Sequence, residues 1–305
     1  MPGPRSDDPE GRERLRKILR KVRKIEFLTR GKVAAELGGE YHSSFRGQGI
    51  DFDEFREYQP GDEVRAIDWN VTARTGKAHI KKFIEDRELT VVLAVDVSAS
   101  AEYGSVEGSK RDLAAEVAAL FAFSAIHNQD KVALLLFSDQ VELFLPPRKG
   151  TGHCLRLVRE ILAWEATGRG TDAAPALDTL VRLIDRRSLV LLISDFQCEE
   201  LEPSLRLAAV KHDVVAVQVS DPREAELADV GRITLEDPES GEQISVNTGR
   251  ASVRTQYAER VVAWQSDLDQ LCKKTGVDHL HLRTGEDTLP AVHAFFRRRS
   301  QGSLR

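Results

Sequence analysis

Cysteine and methionine are scarce in this chain of 305 residues: three cysteines and one methionine. Cys154, Cys198 and Cys272 are far apart and odd in number. They fit neither a disulfide framework nor a zinc-ligand spacing, and a reducing cytoplasm suits them best. Long apolar runs are also missing. Nothing approaches the roughly 20 consecutive apolar residues of a membrane helix, and residues 1–25 lack the apolar segment of a secretory signal. There is no excess of positive charge either. Lys and Arg number 44 against 49 Asp and Glu, a net charge of −5, which argues against general nucleic-acid binding. The eight histidines form no H-E-x-x-H pattern, and His127, His153 and His212 stand alone. What remains is a chain with 41% hydrophobic and 30% charged residues, enough for a sizeable core under a soluble surface.

The chain is organised around Thr90–Ser100, TVVLAVDVSAS. A run rich in β-branched residues reads as a strand buried on both faces. It ends abruptly in Asp96, Ser98 and Ser100. In an open α/β sheet the carboxyl end of a strand is the rim where ligands bind. The spacing D-x-S-x-S lets a tight loop turn three oxygens toward one point, and such hard donors suit a small hard cation such as Mg²⁺.

Residues 1–10 read as a disordered tail. Leu15, Ile18, Leu19, Val22, Ile25 and Leu28 then follow helical spacing, opposite a face of Arg and Lys. Such a helix packs its stripe on the chain's own core, or lies on a membrane surface or an acidic partner through residues 12–28. Residues 41–87 mix charges, turn signals and aromatics. Gln59-Pro60-Gly61-Asp62 predicts a turn. The segment reads as an arm or small β-element clamped to the next domain by aromatics and ion pairs, and Arg56, Asp62, Arg65, Asp68 and Trp69 are its candidate partner-contacting residues. From Thr90 onward strands and helices alternate. Strands are predicted at 131–138, 141–145, 188–194, 213–219 and 278–282, with a hairpin insertion over 231–247. The pattern predicts an α/β fold with a doubly wound, mostly parallel sheet. The organisation is a tail over 1–10, a helix and arm over 11–87 and an α/β domain over 88–300.

Two more pieces complete a constellation. Gly168-Arg169-Gly170-Thr171-Asp172 is a glycine-rich loop just before a helix, and Asp195 follows the strand SLVLLIS. If the strands are parallel, Asp195 shares a rim with Asp96. Asp96, Ser98, Ser100, Thr171 and Asp195 then form a five-residue oxygen cage. Against this stands the plain reading that the serines and Asp96 only cap loops and the following helix.

The five residues resemble the metal-ion-dependent adhesion site of the von Willebrand factor A-like fold, a Rossmann-like architecture whose pattern is D-x-S-x-S, a loop Thr and a loop Asp. The resemblance covers residues 88 to about 300. It implies that Ser98, Ser100 and Thr171 hold Mg²⁺, with Mn²⁺ or Ca²⁺ as alternatives, that Asp96 and Asp195 act through waters, and that a partner's acidic side chain completes the octahedron. The stretch SSFRGQGIDFDEFREYQPGDEVRAIDWNVTARTGK over 43–77 is similar to the signature of domain of unknown function family 58, bacterial and archaeal proteins that couple this arm to a von Willebrand factor A-like domain. Members are commonly associated with MoxR-type AAA+ ATPases. The resemblance therefore implies an adaptor for such an ATPase, and the residues themselves read first as a non-enzymatic binding module.

Two alternatives are a metal-dependent phosphohydrolase and a membrane-surface scaffold with a vestigial site. A hydrolase of the haloacid dehalogenase type needs a second carboxylate two residues after the strand-terminal Asp, where this chain has Ser98, which cannot serve as the acid. Gly104 to Lys110 (GSVEGSK) falls short of a phosphate loop in spacing and order. Gly47-Gln48-Gly49 lacks the strand and third Gly of a dinucleotide site. Cys198 lies near Asp195 but has no paired His to make it a nucleophile.

Overall fold

A computed structural model describes residues 9–32, 51–59, 62, 67–84, 88–106, 108–168, 170–198 and 200–302. Contacts divide the chain into two units, Met1–Ser44 with Thr90–Arg305, and Phe45–Leu89. The predicted tail, apart from its last two residues, lies outside the described residues. The first helix, α1 (Pro9–Lys32), groups with the larger unit.

The smaller unit holds β1 (Asp51–Glu57), α2 (Trp69–Thr75) and β2 (His79–Ile84), with β1 and β2 paired antiparallel. This is the small β-element that the sequence implied. The predicted turn is marked by Asp62 N–H donating to Gln59 O at 3.0 Å, while Pro60 and Gly61 are outside the described residues.

The larger unit is built on β3 (Thr90–Asp96), α3 (Lys110–His127), β4 (Lys131–Phe137), β5 (Val141–Arg148), α4 (Thr151–Ala163), α5 (Ala174–Leu183), β6 (Leu189–Ser194), α6 (Glu202–Lys211), β7 (Asp213–Ser220), the short α7 (Pro222–Ala225), β8 (Arg232–Glu236), β9 (Gln243–Asn247), α8 (Ala251–Thr275), β10 (Asp278–Arg283) and α9 (Thr288–Gly302). Six strands form one sheet in the order β10-β7-β6-β3-β4-β5. All neighbours run parallel except β5, which turns back antiparallel on β4. The α/β class and mostly parallel sheet expected from the sequence are present. β8 and β9 form the separate predicted hairpin.

Burial explains the sequence of the strands. Val91 to Val95, Val132 to Phe137 and Leu189 to Ile193 are all at most 2% exposed, because helices cover both faces. Each such Leu, Ile or Val contributes roughly 1.5–3 kcal/mol through burial. On one face Leu177 and Leu180 of α5, Leu205 of α6 and Leu268 of α8 pack with Val92, Ala94, Val190 and Leu192. On the other, α3 covers the sheet, and Phe121 meets Phe296 of α9 edge-on at 5.4 Å.

Helix α1 packs on α3 and α4. Its Ile18, Val22 and Ile25 are buried, so the apolar stripe belongs to the chain's own core. Leu19 and Leu28, expected in the same stripe, are about two-fifths exposed, at 43% and 40%. The stripe is narrower than the spacing implied. Lys21 on the basic face pairs with Asp112 at 2.6 Å.

Because the chain winds from β3 to β4 and β5 on one side and to β6, β7 and β10 on the other, the order reverses beside β3. Parallel strands bring the carboxyl ends of β3 and β6 to one rim at this switch point.

Candidate metal centre at the sheet rim

Asp96 is the last residue of β3, and Ser194 ends β6 beside it. The Asp96 carboxylate is 4% exposed and fully engaged in shaping the rim. Its Oδ1 accepts from the Ser98 N–H at 2.9 Å, which folds the loop back on the strand end. Its Oδ2 accepts from the Ser194 hydroxyl at 2.7 Å. That hydroxyl in turn accepts from Phe196 N–H at 3.0 Å. The backbone at Phe196 is left-handed, with φ of 59°, a strained conformation for a bulky residue and one often found beside functional groups.

Ser98, Ser100 and Asp195 follow in one hydrogen-bonded line. The Ser98 and Ser100 hydroxyl oxygens are 3.0 Å apart, and Ser100 donates to Asp195 Oδ2 at 3.0 Å. Arg111 fixes the loop from below: it donates to Val97 O at 2.6 Å and to Trp164 O at 2.8 Å and pairs with Glu102 at 2.5 Å. Four of the five predicted ligands, Asp96, Ser98, Ser100 and Asp195, are therefore brought together.

Thr171 belongs to a second loop. That loop is held by Glu142 of β5, which accepts from Thr167 N–H at 2.9 Å, Gly168 N–H at 2.8 Å, the Thr167 hydroxyl at 2.8 Å and the Ser138 hydroxyl at 2.7 Å. Burial works to raise the Glu142 pKa, but these bonds outweigh it and hold it at about 2. A Cβ on Gly168 would collide with Asp139 Oδ1 and the Ser138 hydroxyl, so glycine permits this approach. Asp172 donates its N–H to Ser138 O at 2.9 Å and accepts from Ala174 N–H, the first residue of α5, at 2.9 Å. The Thr171 hydroxyl donates to Glu239 in the β8–β9 turn rather than to the Asp96 group. Cys198 lies between the two loops. Its thiol is pushed up to about 11 by burial, with the charges of Asp172, Asp96 and Asp195 acting the same way. It stays a thiol and is a poor nucleophile.

Lys110 was missed by sequence reasoning. It opens α3, is 1% exposed, and donates to Asp195 Oδ2 at 2.7 Å and to Glu224 Oε1 at 2.5 Å. Burial would lower its pKa, but Asp195 and Glu224 overcome this and raise it, so the ammonium stays charged and cannot act as a base. Glu224 is placed by the capping of α7, where its Oε2 accepts from Asp221 N–H at 2.8 Å. Neither Lys110 nor Glu224 stands in a motif. Lys110 follows a serine in the stretch dismissed as a phosphate loop, and only the α3 capping box of Ser109 and Asp112 marks its place.

The donor set fits a hard cation. Among the described residues no three His, Cys, Asp or Glu side chains gather to hold a metal ion. The Asp96 cluster has two carboxylates, and its other donors are hydroxyls. Asp195 and Glu224 share the one Lys110 ammonium, and Asp96, held by the Ser98 N–H and the Ser194 hydroxyl, feels the negative charge of Asp195. Burial first, and the neighbouring Asp195 second, push its pKa up to about 6 against the bonds from Ser98 and Ser194. Two buried carboxylates that repel each other are relieved by a cation between them.

The arm residues proposed to contact a partner lie in the smaller unit. Arg56 pairs with Asp62 at 2.7 Å, so these two meet each other. Asp68 caps α2 by accepting from Asn70 N–H at 2.8 Å and Val71 N–H at 3.1 Å. Trp69 is 67% exposed, and Arg65 is outside the described residues. Among the described residues no helix is long and apolar enough to cross a membrane.

The family described as "Protein of unknown function DUF58" matches residues 54–267. The uncharacterized protein Rv1480 of Mycobacterium tuberculosis (strain ATCC 25618 / H37Rv) is 34% identical over 304 residues, covering 98% of this chain and 92% of that protein. The uncharacterized protein YeaD of Bacillus subtilis (strain 168) is 23% identical over 181 residues, 59% of this chain and 42% of that protein. Among solved structures, the conserved hypothetical protein BatB from Bacteroides thetaiotaomicron aligns over 70% of this chain and 99% of its own, with 15% identity and a TM-score of 0.45.

Proposed function

The chain belongs to the DUF58 family, and within it we propose a non-enzymatic, metal-dependent protein–protein interaction module of the von Willebrand factor A-like, adhesion-site type. The observation that carries this reading is the line Asp96–Ser98–Ser100–Asp195 on the rim of a parallel sheet, with more buried carboxylate than its one lysine neutralises. Ser98, Ser100 and Thr171 hold the ion by their hydroxyls. Asp96 and Asp195, already occupied by loop amides and by Lys110, act on it from behind. A bound Mg²⁺ would supply a hard positive charge that favours an incoming carboxylate.

The partner is a protein presenting an Asp or Glu. The family resemblance extends the proposal to a MoxR-type AAA+ ATPase, with the module working in the cytoplasm. A second docking surface is the arm around Trp69, whose exposed indole is a natural anchor. The basic face of α1 supplies a peripheral contact with membrane or an acidic partner.

The test is retention of a purified MoxR-type ATPase by the full chain with Mg²⁺ and with chelator. We expect Mg²⁺-dependent retention that Asp96→Ala abolishes. Retention unaffected by chelator and by Asp96→Ala moves recognition away from the rim.

A further inference from the structure

Thr171 makes its hydrogen bond to a carboxylate that arrives from elsewhere in the same chain. Glu239 sits in the turn of the β8–β9 hairpin, 68 residues further on, and its Oε1 accepts from the Thr171 hydroxyl. Its Oε2 lies 3.8 Å from the position a Cβ would take on Gly170, so the carboxylate faces the loop where that loop has no side chain.

The turn that presents it is prebuilt. Asp237 Oδ1 accepts from Glu239 N–H at 2.9 Å, and Asp237 Oδ2 accepts from the Ser240 hydroxyl at 2.7 Å. Gly241 closes the turn with φ of 72° and its N–H on Asp237 O at 2.8 Å. The strands behind the turn are poorly covered, with Ile244 63% exposed. The base is anchored at Thr248, which is fully buried and bonded to Gly231 O at 2.9 Å. The hairpin is thus tied at its base, and its tip touches the Gly170–Thr171 loop. A two-stranded ribbon with exposed strands is marginally stable by itself, so its contacts at tip and base decide where it rests.

The Glu239 carboxylate thus sits on Thr171, the one predicted ligand that does not bond to the Asp96 group. Resting on the adhesion-site reading above, we propose that Glu239 is the site's own acidic ligand. It occupies the position a partner's Asp or Glu would take, so the hairpin closes the site until a partner's carboxylate displaces it. Specificity then includes a competition: only a partner whose acidic residue arrives with further contacts displaces a ligand held at the high local concentration of the same chain.

The test loads the full chain with Mn²⁺ and reads the ion's water and carboxylate ligands by electron paramagnetic resonance, using ¹⁷O-water and ¹³C-acetate. Wild type, Glu239→Ala, Glu239→Gln and Asp96→Ala are compared, with the first three matched for melting temperature. We expect wild type to exclude acetate, and the Ala and Gln variants to gain a water that acetate replaces, with Mn²⁺ affinity lower by on the order of tenfold. The Gln variant keeps an acceptor for Thr171 and loses only the charge, so its agreement with Ala separates ligation from hairpin placement. If Mn²⁺ binds in an Asp96-dependent way and acetate enters wild type as readily as Glu239→Ala, the closed-hairpin proposal is overturned and the metal site stands. If wild type binds no Mn²⁺, or Asp96→Ala binds equally, the adhesion-site reading falls and the proposal falls with it.

Discussion

Both units of the chain carry ion pairs of similar length, yet they do different things. In the smaller unit Lys77 meets Glu57 at 2.7 Å with the side chains 68% and 59% exposed. In the larger unit Lys110 meets Asp195 at the same 2.7 Å with 1% and 4% exposed. Water screens the first pair, and such pairs contribute little to stability. The second is cut off from water, so each charge depends on its partner. A distance alone does not distinguish a surface ornament from a structural or functional charge; burial does. The rim of the larger unit concentrates buried charge at the carboxyl ends of β3 and β6.

The largest break in this comparison is Lys110→Ala. It leaves Asp195 and Glu224 without their ammonium, and we expect a loss of about 3–5 kcal/mol in urea unfolding at neutral pH. Mg²⁺ should recover more stability in this variant than in wild type, because it replaces a missing charge. A loss no greater than that of an exposed lysine would contradict the role assigned to burial.

Acid should act next, and selectively on the larger unit. Burial pushes His212 and His281 down to about 4 from the ordinary 6.5, with Lys211 and Arg187 adding to the effect at His212 and Arg283 and His279 at His281. A depressed histidine pKa means the folded state resists protonation. The stability it contributes is complete above pH 6.5 and is lost as pH falls from 6.5 toward 4. Each histidine costs up to about 3 kcal/mol across that window. Melting temperature followed from pH 7 to 4 checks this, and His212→Gln with His281→Gln should flatten the curve. An unchanged slope in the double variant would overturn the assignment.

Two substitutions in the smaller unit sharpen the comparison at its weak end. Asp68→Ala removes the N-cap of α2 and should cost about 1 kcal/mol. Lys77→Ala removes an exposed ion pair and should leave unfolding unchanged within error. A larger effect of Lys77→Ala than of Asp68→Ala would reverse the expected order.

Much of the larger unit was legible in the sequence. Apolar runs such as VVLAV and LVLLI report strands covered on both faces, and the abrupt change to Asp96-Val97-Ser98-Ala99-Ser100 marks a strand end. Local spacing therefore located the rim and the four residues that meet there. Thr171 was legible as a loop hydroxyl, but not its bond to Glu239, because that pairing depends on where a hairpin 68 residues away comes to rest. Lys110, Glu142 and Glu224 escaped for the same reason. Their partners lie 85, 26 and 114 residues distant in the chain, and no local periodicity records such contacts. In the smaller unit, alternating charges showed that ion pairs form but not which; Arg56 took Asp62 within its own turn.

The most direct measurement is calorimetric titration of Mg²⁺ into the chelator-stripped full chain, wild type beside Asp96→Ala and Ser98→Ala, with folding of each variant confirmed by circular dichroism. We expect saturable binding of one ion to wild type and its loss in both variants. Equal binding by all three folded proteins, or none by wild type, would contradict a cation site at the rim.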